Sequence, residues 1–290
     1  MQGGIGSDGR RRIPHIGTYQ SGHTADHGKV LCMDNTPAPG GVVPRRRVLV
    51  TGASGGIGAA IAHAFAGLGD RVAVHYNTAL DKARMVYDEL PGDGHALVGA
   101  DLADPDVIVE ETVAALGGVD VLVNNAAFQG GPHPPSVSFA DWQSAWRETF
   151  EVNVFGAANL THRVAARMIE QGAGGRIVNV GSRGAFRGEP DHPAYGASKA
   201  ALHAMGQSLA VALAPHRIAV TTVAPGFVRT DRVEHRLRGE AGLAIAAQSP
   251  FERVAQPSEV AAAVVYLASR EAMWASGAIL DLNGASYLRT

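Results

Sequence analysis

What this chain of 290 residues has little of narrows its biology first. It holds one cysteine, Cys32, so no disulfide can form within the chain and a reducing compartment fits. Excess charge is scarce too. The 25 Lys and Arg nearly balance the 27 Asp and Glu, leaving a formal net charge of −2 with no long basic run. That balance gives no electrostatic footprint for nucleic acid. No apolar run approaches the ~20 residues of a membrane helix. The opening stretch MQGGIGSDGRRRIPHIG also lacks the apolar core of a secretory signal. The expectation is a cytoplasmic protein with neither membrane nor nucleic-acid partners.

Residues 1–44 are built from Gly, Pro, Ser, Asp and His with almost no apolar periodicity, and read as a flexible N-terminal extension. Met33 opens a short polar leader, DNTPAPGGVVPRRR, and is a candidate true start. His23 and His27 have the i,i+4 spacing of a helical metal pair, but no third ligand accompanies them and no metal site is expected.

From residue 45 to 290 the pattern becomes regular. Strand-like runs fall at 47–51, 71–76, 95–100, 119–124, 176–181, 218–224 and 278–282. Segments of helical period separate them, at about 57–68, 79–90, 105–116, 139–171, 194–214 and 257–269. Several strands are continuously apolar, as Val48-Leu-Val50 and Val121-Leu-Val123 are, which suits strands covered on both faces. Alternation of this kind predicts a single doubly wound α/β domain, a Rossmann-type parallel sheet of about seven strands. Ser138 precedes the long helical segment as a cap, and Pro215 closes the one before the sixth strand.

Two stretches carry chemistry. Thr51-Gly-Ala-Ser-Gly-Gly-Ile-Gly58 joins the first strand to the first helix, where glycines let the backbone turn sharply against a pyrophosphate at a helix N-terminus. The second stretch runs from Ser182, at a strand end, to Tyr195 and Lys199. Those last two are four residues apart on a helix and project from one face. A hydroxyl facing that pair can donate protons to a carbonyl oxygen.

TGASGGIG, Asp101-Leu102, Asn124-Asn-Ala-Ala127, Asn153, Ser182, Tyr195-Gly-Ala-Ser-Lys199 and Ala224-Pro-Gly226 occur in one order. Together they resemble the single-domain short-chain dehydrogenase/reductases, especially the 3-oxoacyl-carrier-protein reductase type, over about residues 46–290. The resemblance implies that Gly52, Ser54, Gly56, Ile57 and Gly58 hold the pyrophosphate and adjacent ribose of a dinucleotide. It implies Asp101 and Leu102 beside the adenine, Asn125 and Ala126 beside the second ribose with Tyr195 and Lys199, and Gly226 and Val228 against the nicotinamide. In the chemistry it implies, Ser182 binds the substrate oxygen and Tyr195 is the acid/base. Lys199 and the oxidised nicotinamide depress the tyrosine toward neutrality, and Asn153 holds a water that relays protons.

No Asp or Glu follows the second strand, where one would repel a 2′-phosphate, and Asn77 and Thr78 offer donors there instead. NADP(H) is therefore favoured over NAD(H), although Gly55 stands where many NADP-dependent relatives carry a base. Ala127 and Ala285 stand where glycine is common in the family. A lid is expected from Phe227 to about Pro250. Its Arg229, Arg232, Arg236 and Arg238, with Arg183 and Arg187, read either as contacts to an anionic substrate, such as an acyl-carrier-linked one, or as ordinary solvated arginines. His133 and His192 read as exposed loop histidines, and Trp142, Trp146 and Phe150 as packing at helical spacing. Small residues on the catalytic helix permit close packing between copies, and the resemblance implies a homo-oligomer, a tetramer or dimer. The expected activity is an NADP(H)-preferring oxidoreductase of a small carbonyl/secondary-alcohol pair. The alternatives are an NAD-dependent alcohol or polyol dehydrogenase and a non-catalytic dinucleotide sensor.

Overall fold

The apolar runs pair side by side in the computed structural model, which describes residues 45–289. The strands are β1 (Arg47–Val50), β2 (Arg71–Tyr76), β3 (Ala96–Gly99), β4 (Val121–Asn124), β5 (Gly175–Val180), β6 (Ile218–Pro225) and β7 (Ile279–Leu282). All pair in parallel, in the order β3-β2-β1-β4-β5-β6-β7. Parallel neighbours need crossovers, and helices supply them. These are α1 (Gly56–Gly67), α2 (Leu80–Glu89), α3 (Pro105–Leu116), α4 (Phe139–Phe150), α5 (Ala157–Gln171), α6 (Gly184–Arg187), α7 (Pro193–Leu213), α8 (Asp231–Glu234), α9 (Gly239–Ala246) and α10 (Pro257–Leu267).

Alternate strand residues face two apolar layers, which is why the strands carry no polar face. Val48, Val50, Val72, Val74, Val121 and Val123 pack with Ile61 and Phe65 of α1 and Val260 and Val264 of α10. Leu49, Ala73, Leu122 and Ile177 pack with Ile108 of α3 and Leu160, Val164 and Met168 of α5. At the strand starts, Arg47 makes a paired ion contact to Asp120 at 2.6 Å and Arg46 one to Asp70 at 2.6 Å, tying β1 to both neighbours. These clamps sit at the end of the sheet opposite the functional cleft.

Strand positions agree with the sequence reading to within two residues. The segment 139–171 does not run as one helix. It is α4 and α5 joined by a π-helical stretch, Glu151–Gly156, that contains Asn153. The Ser138 cap is present, its hydroxyl accepting from the Asp141 N–H at 3.1 Å. The lid holds the short helices α8 and α9, four and eight residues long and too brief to show a sustained period. No helix among the described residues is long and apolar enough to cross a membrane. The readings that fall on residues 1–44, with Met33, Cys32, His23 and His27, lie outside the described residues.

Candidate active site

The strand order reverses between β1 and β4, and their crossovers leave in opposite directions. Sheets of this kind bind ligands in the crevice at that point. Here a cavity of about 610 Å³ opens at the strand ends, lined by residues of β2, β5 and β6, by the turns that follow β1 and β4, and by the lid.

One wall is the glycine turn. Gly52 and Gly56 have φ of +62° and +55°, the left-handed region that glycine enters freely. A Cβ at Gly58 would lie 2.4 Å from the Gly52 carbonyl oxygen, so only glycine lets α1 start this close to β1. The α1 N-terminus carries no side-chain cap and no acidic residue in its first turn. Its free N–H groups and positive dipole end therefore face the cavity, which is the donor set a pyrophosphate requires. The residues fit a dinucleotide.

Side chains hold this wall in place. The Thr51 hydroxyl accepts from the N–H groups of Asn125 and Ala126 at 2.9 and 3.0 Å, and the Asn125 amide donates to the Thr51 and Gly52 carbonyls at 2.8 and 3.1 Å. His75 Nδ1 accepts from Gly52 N–H at 3.3 Å while Nε2–H donates to the Ala100 carbonyl at 3.0 Å. Burial lowers this imidazole to about 4, so it stays neutral and keeps its acceptor. His75 was not singled out from sequence; its bonds make it the brace behind the glycine turn.

Gly52, Ser54, Gly56, Ile57, Gly58, Asn77, Asp101, Leu102, Asn125, Ala126, Gly226 and Val228 all line the cavity, with Ser182, Tyr195 and Lys199. The expected donor Asn77 differs in orientation, because its amide is engaged by the Asp101 carboxylate at 2.8 Å. Lys82 lines the same corner and was missed from sequence. It sits in the first turn of α2, just past Thr78, and a search for cations there rather than directly after β2 would have found it.

Ser182 follows β5, and Tyr195 and Lys199 rise from α7. The Lys199 ammonium donates to the Val180 carbonyl at 2.8 Å and lies 5.8 Å from the Tyr195 ring centroid. Burial, with Arg232 nearby, brings this ammonium down to about 8. Tyr195 departs from the expected depression. Burial pushes its phenol up and outweighs the hydrogen bond from Ser182 that pulls it down. Beneath Ser182 lies His203, one further turn along α7 from Lys199. Its Nε2 accepts from the Ser182 N–H at 3.4 Å, and burial beside Lys199 lowers it to about 4. Its i,i+4 relation to Lys199 was the available signal.

Asn153 does not line the cavity. Its amide nitrogen donates to the Phe128 carbonyl at 2.8 Å and the Ser198 hydroxyl at 2.9 Å, and its oxygen accepts from Phe128 N–H at 2.7 Å. The side chain is thus a strut between the β4 loop and α7. His133 is not an exposed loop histidine. It is buried, with Nδ1–H donating to the Gly131 carbonyl at 2.9 Å and Nε2 accepting from Ala194 N–H at 3.2 Å, at the start of α7. Trp142, Trp146 and Phe150 stack in series at 5.6 and 5.5 Å, as packing residues do. Of the six arginines, Arg183, Arg232 and Arg236 line the cavity and Arg229 pairs with Glu234 at 3.8 Å. Among the described residues, no group of three or more His, Cys, Asp or Glu is placed to hold a metal ion.

A family model described as enoyl-(acyl carrier protein) reductase matches residues 52–284. A short-chain type dehydrogenase/reductase of Picea abies is 36% identical over 253 residues, covering 82% of this chain and 91% of its own. The 3-oxoacyl-(acyl-carrier-protein) reductase FabG of Staphylococcus aureus (strain Mu50 / ATCC 700699) is 33% identical over 248 residues, covering 84% and 98%. Among solved structures, angucycline C-6 ketoreductase LanV with bound NADP superposes with a TM-score of 0.74 at 34% identity, covering 82% and 94%. The chain therefore belongs to the short-chain dehydrogenase/reductases, NAD(P)-dependent oxidoreductases acting on the CH–OH/C=O pair.

Proposed function

We propose that this enzyme reduces a small carbonyl compound to a secondary alcohol at the expense of NADPH, with Tyr195 as the proton donor. The observation that carries the reading is one cavity lined at once by the glycine turn and by Ser182, Tyr195 and Lys199. Gly52, Ser54, Gly56, Ile57 and Gly58 would hold the pyrophosphate side, Asp101 and Leu102 the adenine, and Asn125, Ala126, Gly226 and Val228 the nicotinamide side. When bound, the nicotinamide supplies the hydride.

The chain's own groups handle the charge and the proton. Ser182 donates to the carbonyl oxygen, which gains negative charge as the carbon is reduced. Desolvation keeps the Tyr195 phenol in its protonated form, the form from which a proton is delivered to the reduced carbonyl oxygen. Lys199 keeps a positive charge next to Tyr195 below about pH 8 and stabilises the phenolate left behind. Asn153 acts as a positioning residue, keeping the π-helical stretch, the β4 loop and α7 in register.

Three features support NADPH. No carboxylate follows β2, Thr78 and Lys82 line the adenosine end of the cavity, and the ketoreductase neighbour carries NADP. The 3-oxoacyl carrier-protein activity named for the Staphylococcus relative falls within the same carbonyl class. A cytoplasmic location and assembly as a dimer or tetramer complete the proposal, the latter supported by exposed apolar residues such as Trp274 and Phe155.

Tyr195→Phe should lower turnover by on the order of 10³-fold while the dissociation constant for NADPH stays within about threefold. Full turnover in that variant would remove the mechanism. Lys82→Glu should shift the ratio of kcat/KM for NADPH over NADH by about tenfold toward NADH, a loss of roughly 1.4 kcal/mol. An unchanged ratio would take Lys82 out of the cofactor site.

A further inference from the structure

The substrate side of the cavity holds more positive charge than the one carboxylate near it offsets. Arg183 is 5% exposed, and among the described residues no carboxylate lies within 4.0 Å of it. Its guanidinium donates to the Ser286 hydroxyl at 2.6 Å and to the Gln248 carbonyl oxygen at 3.0 Å. That same Gln248 oxygen accepts from Arg187 at 2.6 Å, so two cations converge on one neutral acceptor. Across the cavity Arg236 shares the Phe227 ring with Arg183, each guanidinium 5.4 Å from its centroid. Neutral acceptors satisfy donors but leave charge in place, and a buried charge without a counter-ion is strongly disfavoured. Glu189 lines the same cavity and feels Arg183, Arg187 and Arg236 through space, but it forms no ion pair within 4.0 Å with any of them, so one carboxylate stands against three guanidiniums.

We propose that Arg183 and Arg236 form an anion subsite that holds a carboxylate carried by the substrate itself, so that the substrates of this enzyme are small oxo acids. Position separates this class from carrier-linked carbonyls. Arg183 directly follows Ser182 in the chain, and both residues line the one cavity. The phosphate of a phosphopantetheine arm lies the whole length of the arm from its thioester carbonyl and cannot reach a buried arginine beside the reacting oxygen. A free carboxylate a few atoms from the carbonyl can, and the planar guanidinium fork matches it with two parallel hydrogen bonds.

The proposal rests on the carbonyl-reductase reading of this cavity, and two measurements keep the two apart. The first compares kcat/KM with NADPH for 2-, 3- and 4-oxo acids of four to six carbons, for their methyl esters, and for the matching 3-oxoacyl carrier-protein thioester. The second measures binding of the same acids and esters by isothermal titration to NADPH-loaded Tyr195→Phe protein, where chemistry is blocked. The expected result is at least one acid preferred over its ester by tenfold or more in both. Arg236→Gln, at a partly exposed position, and Arg183→Gln should each cut that preference at least fivefold. Acids that bind tightly without turnover in the wild-type enzyme would uphold the subsite and sink the reductase reading. Esters or the carrier thioester preferred over every acid, equal binding of acids and esters, or a preference indifferent to both substitutions would overturn the subsite.

Discussion

The two walls of the cavity are built differently. The cofactor wall, from the ends of β1 and β4, is cross-tied by Thr51, Asn125 and His75 through bonds of 2.8–3.3 Å to backbone groups. The substrate wall comes largely from the lid, which reaches the opposite side through hydrogen bonds from Arg232 to the Ala127 carbonyl at 3.4 and 3.5 Å and through Thr230 beside Gly56. One wall is fixed before any ligand arrives; the other is held by long, charged side chains. A common cofactor needs the first property, and a family that varies its substrates needs the second.

Acid should break both walls at once, and gives the largest effect. His75 braces the glycine turn and His203 lies under Ser182, and both rings fall from an ordinary 6.5 to about 4 through burial. The unfolded chain therefore binds protons that the folded one refuses between these values. Stability is full above about pH 6.5 and drains away as pH falls toward 4, by roughly 3 kcal/mol for each ring. Urea midpoints at pH 7 and pH 4.5 measure this, and equal midpoints would mean that neither ring is held neutral.

A substitution on one wall should separate them. Gly58→Ala forces a Cβ against the Gly52 carbonyl, whereas a Cβ at Gly55 meets nothing within 4 Å. Overpacking of about 2 kcal/mol predicts NADPH binding weakened on the order of 30-fold in Gly58→Ala. Gly55→Ala should bind within about twofold of the parent, and nicotinamide fluorescence reads both. Similar losses at the two positions would show that the cofactor wall is not rigid.

The smallest effect concerns the loop that follows β7 and meets the lid. Ala285 has φ of +57°, and the neighbouring Gly284 carbonyl accepts from Ser249 at 2.6 Å. Ala285→Gly relieves left-handed strain of about 1 kcal/mol but frees the unfolded chain. The net gain should be about 0.5 kcal/mol, or roughly 1–2 °C in Tm. A lower Tm would show that the alanine methyl packs better than its backbone suggests.

Much of this was legible in the residues because the relevant signals are short in range. Continuous apolar runs place seven strands, and the glycine spacing with Tyr195 and Lys199 places the cavity. The rest depends on contacts between distant segments. Nothing local in Glu151–Gly156 announces a π turn, since it is a change of hydrogen-bond partner within an ordinary helical sequence. The orientation of Asn77 depends on Asp101, and the acceptor role of His133 on the start of α7, neither of which is local. Burial reversed the expected direction for Tyr195, and burial belongs to the folded chain alone. The arginines around the cavity were ambiguous for the same reason. Arg183 and Arg229 look alike in sequence, and only the fold gives one a carboxylate partner and leaves the other without one.

The order of the strands also sets a schedule for folding. β1 pairs first with β2, the next strand to be made, and then waits through two crossovers for β4, where Val48 meets Val121. β5, β6 and β7 then add outward one at a time. Loop closure of this length is slow, and each later strand has an existing edge to join. A nascent chain can therefore complete its glycine turn and both of β1's partners before Ser182 has been synthesised, so the cofactor wall is finished while the catalytic residues are still to come.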